Sequence, residues 1–195
     1  MHIGLDIDDV VADFIPELAK WHNSEYGTRL KKYDFKTYRL SEALLCEREE
    51  ARERVNLFVK RKIHELKLIS GAREAIERLA QRNNLVFITS RQPEIEEETS
   101  YWIKKNFQGL DAEVIFSVNH YLHGLHGFKE RKTKAEICEK EKVDVMIEDS
   151  EEYLIQCHQR GIRVICFDQP WNQRIVENGI RRARNWREVK SYIGM

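Results

Sequence analysis

Within fourteen residues the chain runs from an apolar stretch, HIGL, into four carboxylates, Asp6, Asp8, Asp9 and Asp13. Two carboxylates at i and i+2 can turn to one side as a strand ends. Such a pair can hold a hard divalent cation or divide nucleophilic and acid-base work between them. An acidic turn or a helix N-cap uses the same residue types, so the pair gains meaning from what accompanies it. Three more apolar runs end in polar signatures: Thr89-Ser90-Arg91, Glu148-Asp149-Ser150 and Asp168. A calcium loop of the EF-hand type also begins D-x-D and would place Glu17 at its twelfth position. It fails here because Val10 stands at a ligand position and Val11 where the loop needs glycine.

The elements that must position these residues are legible as five β-rich runs, HIGLDI (2–7), LVFITS (85–90), AEVIFS (112–117), DVMIED (144–149) and RVICFD (163–168). Most are apolar on both faces, as parallel strands covered by helices are. Helix-patterned segments alternate with them. In SGAREAIERLAQRNN, Ser70 can cap the start while Ile76, Leu79 and Ala80 form one stripe. The alternation predicts an α/β fold, a Rossmann-like doubly wound parallel sheet whose carboxyl-end residues converge. The interval between the first two runs is too long for one crossover helix. It carries Phe14, Leu18 and Trp21 at i, i+4 and i+7, then SEALLCEREEARERVNLFVKRKIHELK. The expectation is a core of residues 1–13 and 70–195, with a small helical cap of residues 14–69 inserted after the first strand.

Lys plus Arg and Asp plus Glu balance at 33 each, so no global field recruits a nucleic acid polymer or an anionic membrane. No apolar run approaches the roughly 20 residues that cross a bilayer, and no signal-peptide pattern opens the chain, which points to the cytoplasm. Cys46, Cys138, Cys157 and Cys166 are dispersed without a CxxC pair and read as reduced thiols. RRARNWREV near the end has an arginine-plus-aromatic look suited to nucleic acid, but a terminal helix packing Trp186 and Val189 on the sheet fits its pattern better. His120, His123 and His126 are evenly spaced in NHYLHGLHG. Their glycines and the lack of nearby acids point to a surface loop rather than a metal site.

LDIDDV, FITSR, Lys134 in KTKAEIC and MIEDS, in that order at strand ends, resemble the four motifs of the haloacid dehalogenase superfamily of phosphotransferases, across essentially the whole chain. DVVADF, ITSR, TSYWI, KAEIC, VMIEDS and FDQPWN are similar to the 5'(3')-deoxyribonucleotidase branch and its bacterial nucleotidase relatives. The resemblance implies that Asp6 is the nucleophile of an aspartyl-phosphate route and Asp8 its general acid and base. It places Mg²⁺ at Asp6, Asp8 (through its backbone carbonyl) and Asp149. It gives Thr89, Ser90 and Lys134 to the phosphoryl oxygens, with Lys129 and Lys132 as competitors for Lys134, and it gives Phe14 and Arg91 to the substrate. Two departures stand out: Asp9, where this branch commonly has glycine, and Glu148, where it often has a second Asp.

The activity so implied is Mg²⁺-dependent hydrolysis of phosphomonoesters, with (deoxy)nucleoside monophosphates as the expected substrates and a sugar phosphate or other small phosphoester as the alternative. A non-enzymatic phosphate-binding or receiver-like module is the competing class. Receivers need an Asp at the end of the third strand, and AEVIFSVNH supplies Ser117 and Asn119 instead. The expected partner is a small phosphorylated molecule, with neither a membrane nor a nucleic acid polymer. The oligomeric state is left open.

Overall fold

The structure, a computed structural model, describes residues 1–118, 132–175 and 179–194. The His120, His123 and His126 expectation and the competitor Lys129 lie outside the described residues. Six strands, β1 (His2–Leu5), β2 (Asn84–Thr89), β3 (Glu113–Phe116), β4 (Val145–Glu148), β5 (Arg163–Phe167) and β6 (Arg181–Ala183), form one sheet in the order β3-β2-β1-β4-β5-β6. Every pairing is parallel. The strand order reverses between β1 and β4, which makes the crevice at their carboxyl ends the place where an open α/β sheet binds ligands.

Alternation along each strand builds two separate layers of core. Ile3, Leu5, Phe87, Val145, Ile147, Ile165 and Phe167 share one face. They meet α4 (Ala72–Ala80), α5 (Glu96–Asn106) and α8 (Trp186–Ile193) through Ile76, Leu79, Trp102, Trp186 and Val189. Val86, Ile88, Met146, Val164 and Cys166 share the other face with α6 (Lys134–Lys140) and α7 (Glu151–Gln159). Gly4 lets β1 and β4 pair at the centre: a Cβ there would stand 2.7 Å from Met146 Sδ.

Between β1 and β2 lie α1 (Phe14–Tyr26), α2 (Leu40–Leu44) and α3 (Arg48–Lys62) with two one-turn helices. Phe58 of α3 holds α1 by packing edge-on to Phe14 at 5.3 Å and tilted against Trp21 at 5.6 Å between ring centroids. The chain leaves the sheet and returns to it side by side. Asp13 N–H donates to the Lys67 carbonyl, and Ile69 N–H to that of Val11, both at 2.9 Å.

Two expectations are corrected. Ser70 does not cap α4; Gly71 holds the cap position at φ +80°, because the chain returning from the insertion turns into the helix through a left-handed residue. The basic RRARNWREV is not helical throughout. Arg181–Ala183 form edge strand β6, and Asn185 then caps α8 by accepting the Glu188 N–H at 3.0 Å. As expected, Trp186 and Val189 are buried, and Trp186 Nε1 donates to the Val10 carbonyl at 3.0 Å. All four cysteines are free. Among the described residues no helix is long and apolar enough to cross a membrane.

Candidate active site

The register Leu5↔Ile147 brings the end of β1 beside the end of β4. The Asp6 N–H continues this ladder onto the Ile147 carbonyl at 3.0 Å, so Asp6 emerges next to Glu148 and Asp149. Lys134 enters the same crevice from the first residue of α6. That turn is fixed by a capping box: Thr133 N–H donates to Glu136 Oε2 at 2.8 Å, and Glu136 N–H to Thr133 Oγ1 at 3.2 Å. Lys134 Nζ donates to Asp6 Oδ1 at 2.5 Å and to Glu148 Oε2 at 2.6 Å, and it lies 4.6 Å from the centre of the Tyr153 ring.

Glu148, a departure from the family pattern, uses its extra methylene to fold back on its own strand end. Its Oε1 accepts the N–H groups of Asp149 and Ser150, both at 3.0 Å, while Oε2 takes the ammonium. Burial, reinforced by the charge of Glu148 and opposed by Lys134, pushes Asp6 from 3.8 up to about 7. Burial alone would disfavour the Lys134 ammonium, but Asp6 and Glu148 hold it charged well above the usual lysine range. Burial, then Glu148 and Asp6, also push Asp149 well above the usual carboxylate range.

Asp6, Glu148 and Asp149 each bring a carboxylate oxygen within 4.8 Å of the others. Asp149 Oδ2 accepts Trp171 Nε1–H at 2.7 Å, whereas the buried Oδ1 has no hydrogen-bond partner among the described residues. A buried carboxylate oxygen without a donor is costly, and a hard oxygen cluster suits a small divalent cation, so these residues fit a metal. Of the expected ligands, Asp6 and Asp149 belong to the cluster. The Asp8 carboxylate is directed elsewhere, and Glu148, with both oxygens already engaged, is the third member.

Asp8 is gripped by Arg91 at the end of β2. Nε donates to Oδ2 at 2.9 Å and Nη2 to Oδ1 at 2.6 Å, a bidentate fork. Arg91 Nη1 also donates to Thr99 Oγ1 at 3.2 Å. The structure therefore brings Arg91, expected at the substrate, against the expected acid. Thr89 is buried and its Oγ1 accepts the Arg91 N–H at 3.3 Å, which leaves the hydroxyl proton to donate. Ser90 Oγ lies 2.9 Å from Ser117 Oγ, which donates to the Thr89 carbonyl at 3.1 Å. Phe14 is half-buried against Phe58 at the start of α1.

A cavity of about 250 Å³ opens beside this cluster, lined by Lys36, Thr37 and Tyr38 on the insertion side and Glu151, Glu152, Trp171 and Arg174 on the sheet side. Trp171 connects it to Asp149. Burial, and then the charges of Asp149, Glu148 and Asp6, push the Tyr38 phenol well above its usual range, so it stays protonated. Tyr38 escaped sequence reasoning because DFKTYRL has no periodic signal. Trp171 had one: its place in the loop after a strand that ends in Asp168.

A nucleophile-capable Asp, a lysine across from it and an acidic pair meet at the switch point of a parallel sheet, the fold class of haloacid dehalogenase-like proteins. Solved structures carry the same fold. A haloacid dehalogenase-like hydrolase from Streptococcus pneumoniae superposes with a TM-score of 0.67 over 98% of this chain and 97% of that one, at 16% identity. A subfamily IA hydrolase of this superfamily from Geobacter sulfurreducens gives 0.60 over 99% and 96%, at 15% identity.

The chain belongs to the family of 5' nucleotidase, deoxy (pyrimidine), cytosolic type C proteins, whose pattern matches residues 1–195. It is thus a member of a family of phosphoric monoester hydrolases. It is 26% identical to a nucleotidase from Clostridium acetobutylicum over 192 residues, covering 97% of this chain and 91% of the other. It is also 26% identical to a candidate 5'(3')-deoxyribonucleotidase from Chlorobaculum tepidum over 214 residues, 98% and 89% of the two chains.

Proposed function

We propose that this protein is a Mg²⁺-dependent 5'-nucleotidase that hydrolyses (deoxy)nucleoside monophosphates through an aspartyl-phosphate on Asp6. The observation that carries the reading is the Asp6–Lys134 pair set against Asp149 at the switch point. In the first step an Asp6 carboxylate oxygen attacks phosphorus, the P–O ester bond breaks, and the departing nucleoside oxygen takes a proton from Asp8. In the second, water attacks the aspartyl-phosphate, surrenders its proton to Asp8 and releases inorganic phosphate, which restores Asp6. Arg91 acts as a positioning residue in this scheme: its fork fixes the plane of Asp8, whose side chain is 28% exposed. Thr89 and Lys134 donate to the phosphoryl oxygens, and Ser90 joins them by turning its hydroxyl away from Ser117.

Asp6, Asp149 and the backbone carbonyl of Asp8 would hold Mg²⁺, which when bound offsets the negative charge that carboxylates and phosphate bring together. Residues 1–13 and 70–195 form the catalytic core in this reading, and residues 14–69 the cap that meets the leaving group. The four free thiols, those of Cys138, Cys157 and Cys166 buried, suit a reducing cytoplasm.

The test is phosphate release from nucleoside monophosphates, sugar phosphates and phosphoamino acids, with Mg²⁺ present or chelated. Nucleotides should lead the panel and chelation should silence it. A wild-type enzyme that prefers a sugar phosphate to every nucleotide would keep the phosphatase and sink the nucleotidase.

Phe14 bears on the same choice. If it stacks on the base, Phe14→Ala should lower kcat/KM for nucleotides by about 10-fold, given roughly 1–3 kcal/mol per stacked base, and spare a small generic phosphoester. Equal losses on both substrates would return Phe14 to its packing with Phe58 alone.

Asp149→Asn keeps an acceptor for Trp171 but removes a buried charge. The Mg²⁺ concentration giving half-maximal activity should rise at least about tenfold, and the rise in Tm on adding Mg²⁺ should shrink. An unchanged Mg²⁺ titration would transfer the role to Glu148.

A further inference from the structure

The first turn of α1 has one amide whose partner is a side chain rather than a nearby backbone carbonyl. Phe14 N–H donates to the Ala12 carbonyl at 2.9 Å and Glu17 N–H to that of Asp13 at 3.4 Å, while Pro16 has no N–H to place. Asp13 stands at the cap position and makes no side-chain capping bond. The remaining donor, Ile15 N–H, reaches both carboxylate oxygens of Asp9, at 3.0 and 3.3 Å. Asp9 is 4% exposed and is itself held firmly. Its φ is +57°, its N–H donates to the Ala12 carbonyl at 2.7 Å, and its carbonyl accepts Gln169 Nε2 at 2.5 Å. This residue directly follows Asp8. One carboxyl group thus joins the loop that carries the expected acid to the turn that carries Phe14, and it does so at the helix end whose amides lack intrahelical partners.

We infer that Asp9 is a positioning residue: through Ile15 N–H it fixes the first turn of α1, and with it Phe14, relative to Asp8, so that the leaving group is held in register with its proton donor. This rests on the nucleotidase reading above, in which Phe14 meets the base. The consequence is separable from ordinary stabilisation. A cap that merely stabilised α1 would change Tm and leave the kinetics of the folded enzyme alone. A cap that sets Phe14 changes KM for substrates that reach Phe14 and spares those that do not.

Asp9→Gly and Asp9→Asn divide the possibilities. Glycine accepts the left-handed backbone but offers no acceptor; asparagine tolerates that backbone and keeps one. Assayed well below Tm, Asp9→Gly should lower kcat/KM for a nucleoside monophosphate by about tenfold through KM, the scale of one buried hydrogen bond. Turnover of p-nitrophenyl phosphate should stay within about threefold, and Asp9→Asn should keep nucleotide turnover within the same margin. In a Phe14→Ala background, Asp9→Gly should add less than about twofold, because the two changes remove one interaction. Asp9→Ser, with a shorter acceptor, replaces the glycine variant if that does not fold, with a raised nucleotide KM again expected.

An unchanged nucleotide KM in the folded variant, full additivity with Phe14→Ala, or an asparagine variant as damaged as the glycine one would each overturn the inference. A wild type that turns over no nucleotide would instead remove the nucleotidase reading. Hydrogen exchange at the Ile15 amide then decides for Asp9: protection lost in Asp9→Gly and kept in Asp9→Asn supports its grip on α1, and protection unchanged in both overturns it.

Discussion

Asp6→Asn is expected to abolish phosphate release, by at least about 10³-fold, while the protein remains folded, since in the proposed mechanism the loss of its nucleophile removes the route rather than slowing a step of it. The substitution is nearly isosteric at a residue that is 4% exposed. The carboxamide oxygen can still accept from Lys134 Nζ, whose second partner, Glu148, is untouched. One negative charge leaves a cluster of three carboxylates, and burial together with Glu148 already pushes Asp6 up to about 7. In metal-free protein at pH 8 the wild type must keep Asp6 ionised against that pressure; the asparagine variant need not. Its Tm in chelator at pH 8 should therefore equal or exceed that of the wild type. Acid-quenched reactions with a radiolabelled phosphoester separate mechanism from binding: wild type traps label on the protein and Asp6→Asn traps none. Folded Asp6→Asn protein with near wild-type activity would eliminate the covalent route.

Most of what positions Asp6 is written in the sequence, because a strand covered on both faces has no room for a polar residue until it ends. The runs around Leu5, Ile88 and Ile147 announce their own ends by the first Asp, Thr or Glu that follows. Parallel order then brings those ends together without any knowledge of side-chain contacts. Lys134 stood out from Lys129 and Lys132 because it opens an apolar helix at Ala135, Ile137 and Cys138; the capping box that fixes that turn is seen only in the structure.

What sequence reasoning missed depends on pairing across space. Arg91 follows a strand end like a substrate contact, and only the fold reveals that Asp8, distant in sequence, fills its fork. Strand β6 is three residues long and opens with two arginines, so it has neither the length nor the apolar run of a strand. It pairs because Phe167 and its neighbours on β5 offer an open edge. Glu148 was visible as an oddity but not as a clamp. Its use of one oxygen for two backbone amides and the other for Lys134 is geometry that no spacing rule encodes.

Lys134→Met should produce the largest combined loss, in activity and in stability, because it removes the one cation among the described residues that binds both Asp6 and Glu148 in a buried site. Methionine matches the length of lysine and keeps its contact with apolar neighbours, so the change is chiefly one of charge. Removing one partner of a buried ion pair costs about 3–5 kcal/mol, since the other partner stays buried without compensation; here two carboxylates are left. Turnover should fall by about 10²–10³-fold as the phosphoryl oxygens lose a donor.

The stability loss has a definite pH dependence. A buried carboxylate raised from 3.8 to about 7 binds its proton more tightly folded than unfolded. It therefore favours the folded state most at low pH and loses that contribution as pH rises from about 4 through 7. Lys134 moderates this by pulling Asp6 down. Without it Asp6 rises further, and the loss of stability extends to higher pH. Urea titrations in chelator should accordingly show Lys134→Met far below wild type at pH 8 and much closer to it at pH 5. Added Mg²⁺ should recover more stability in the variant than in the wild type, because a divalent cation replaces part of the missing charge. A variant as stable as wild type at pH 8 in chelator, or equally destabilised at pH 5 and pH 8, would show that Asp6 and Glu148 do not depend on Lys134 for their compensation.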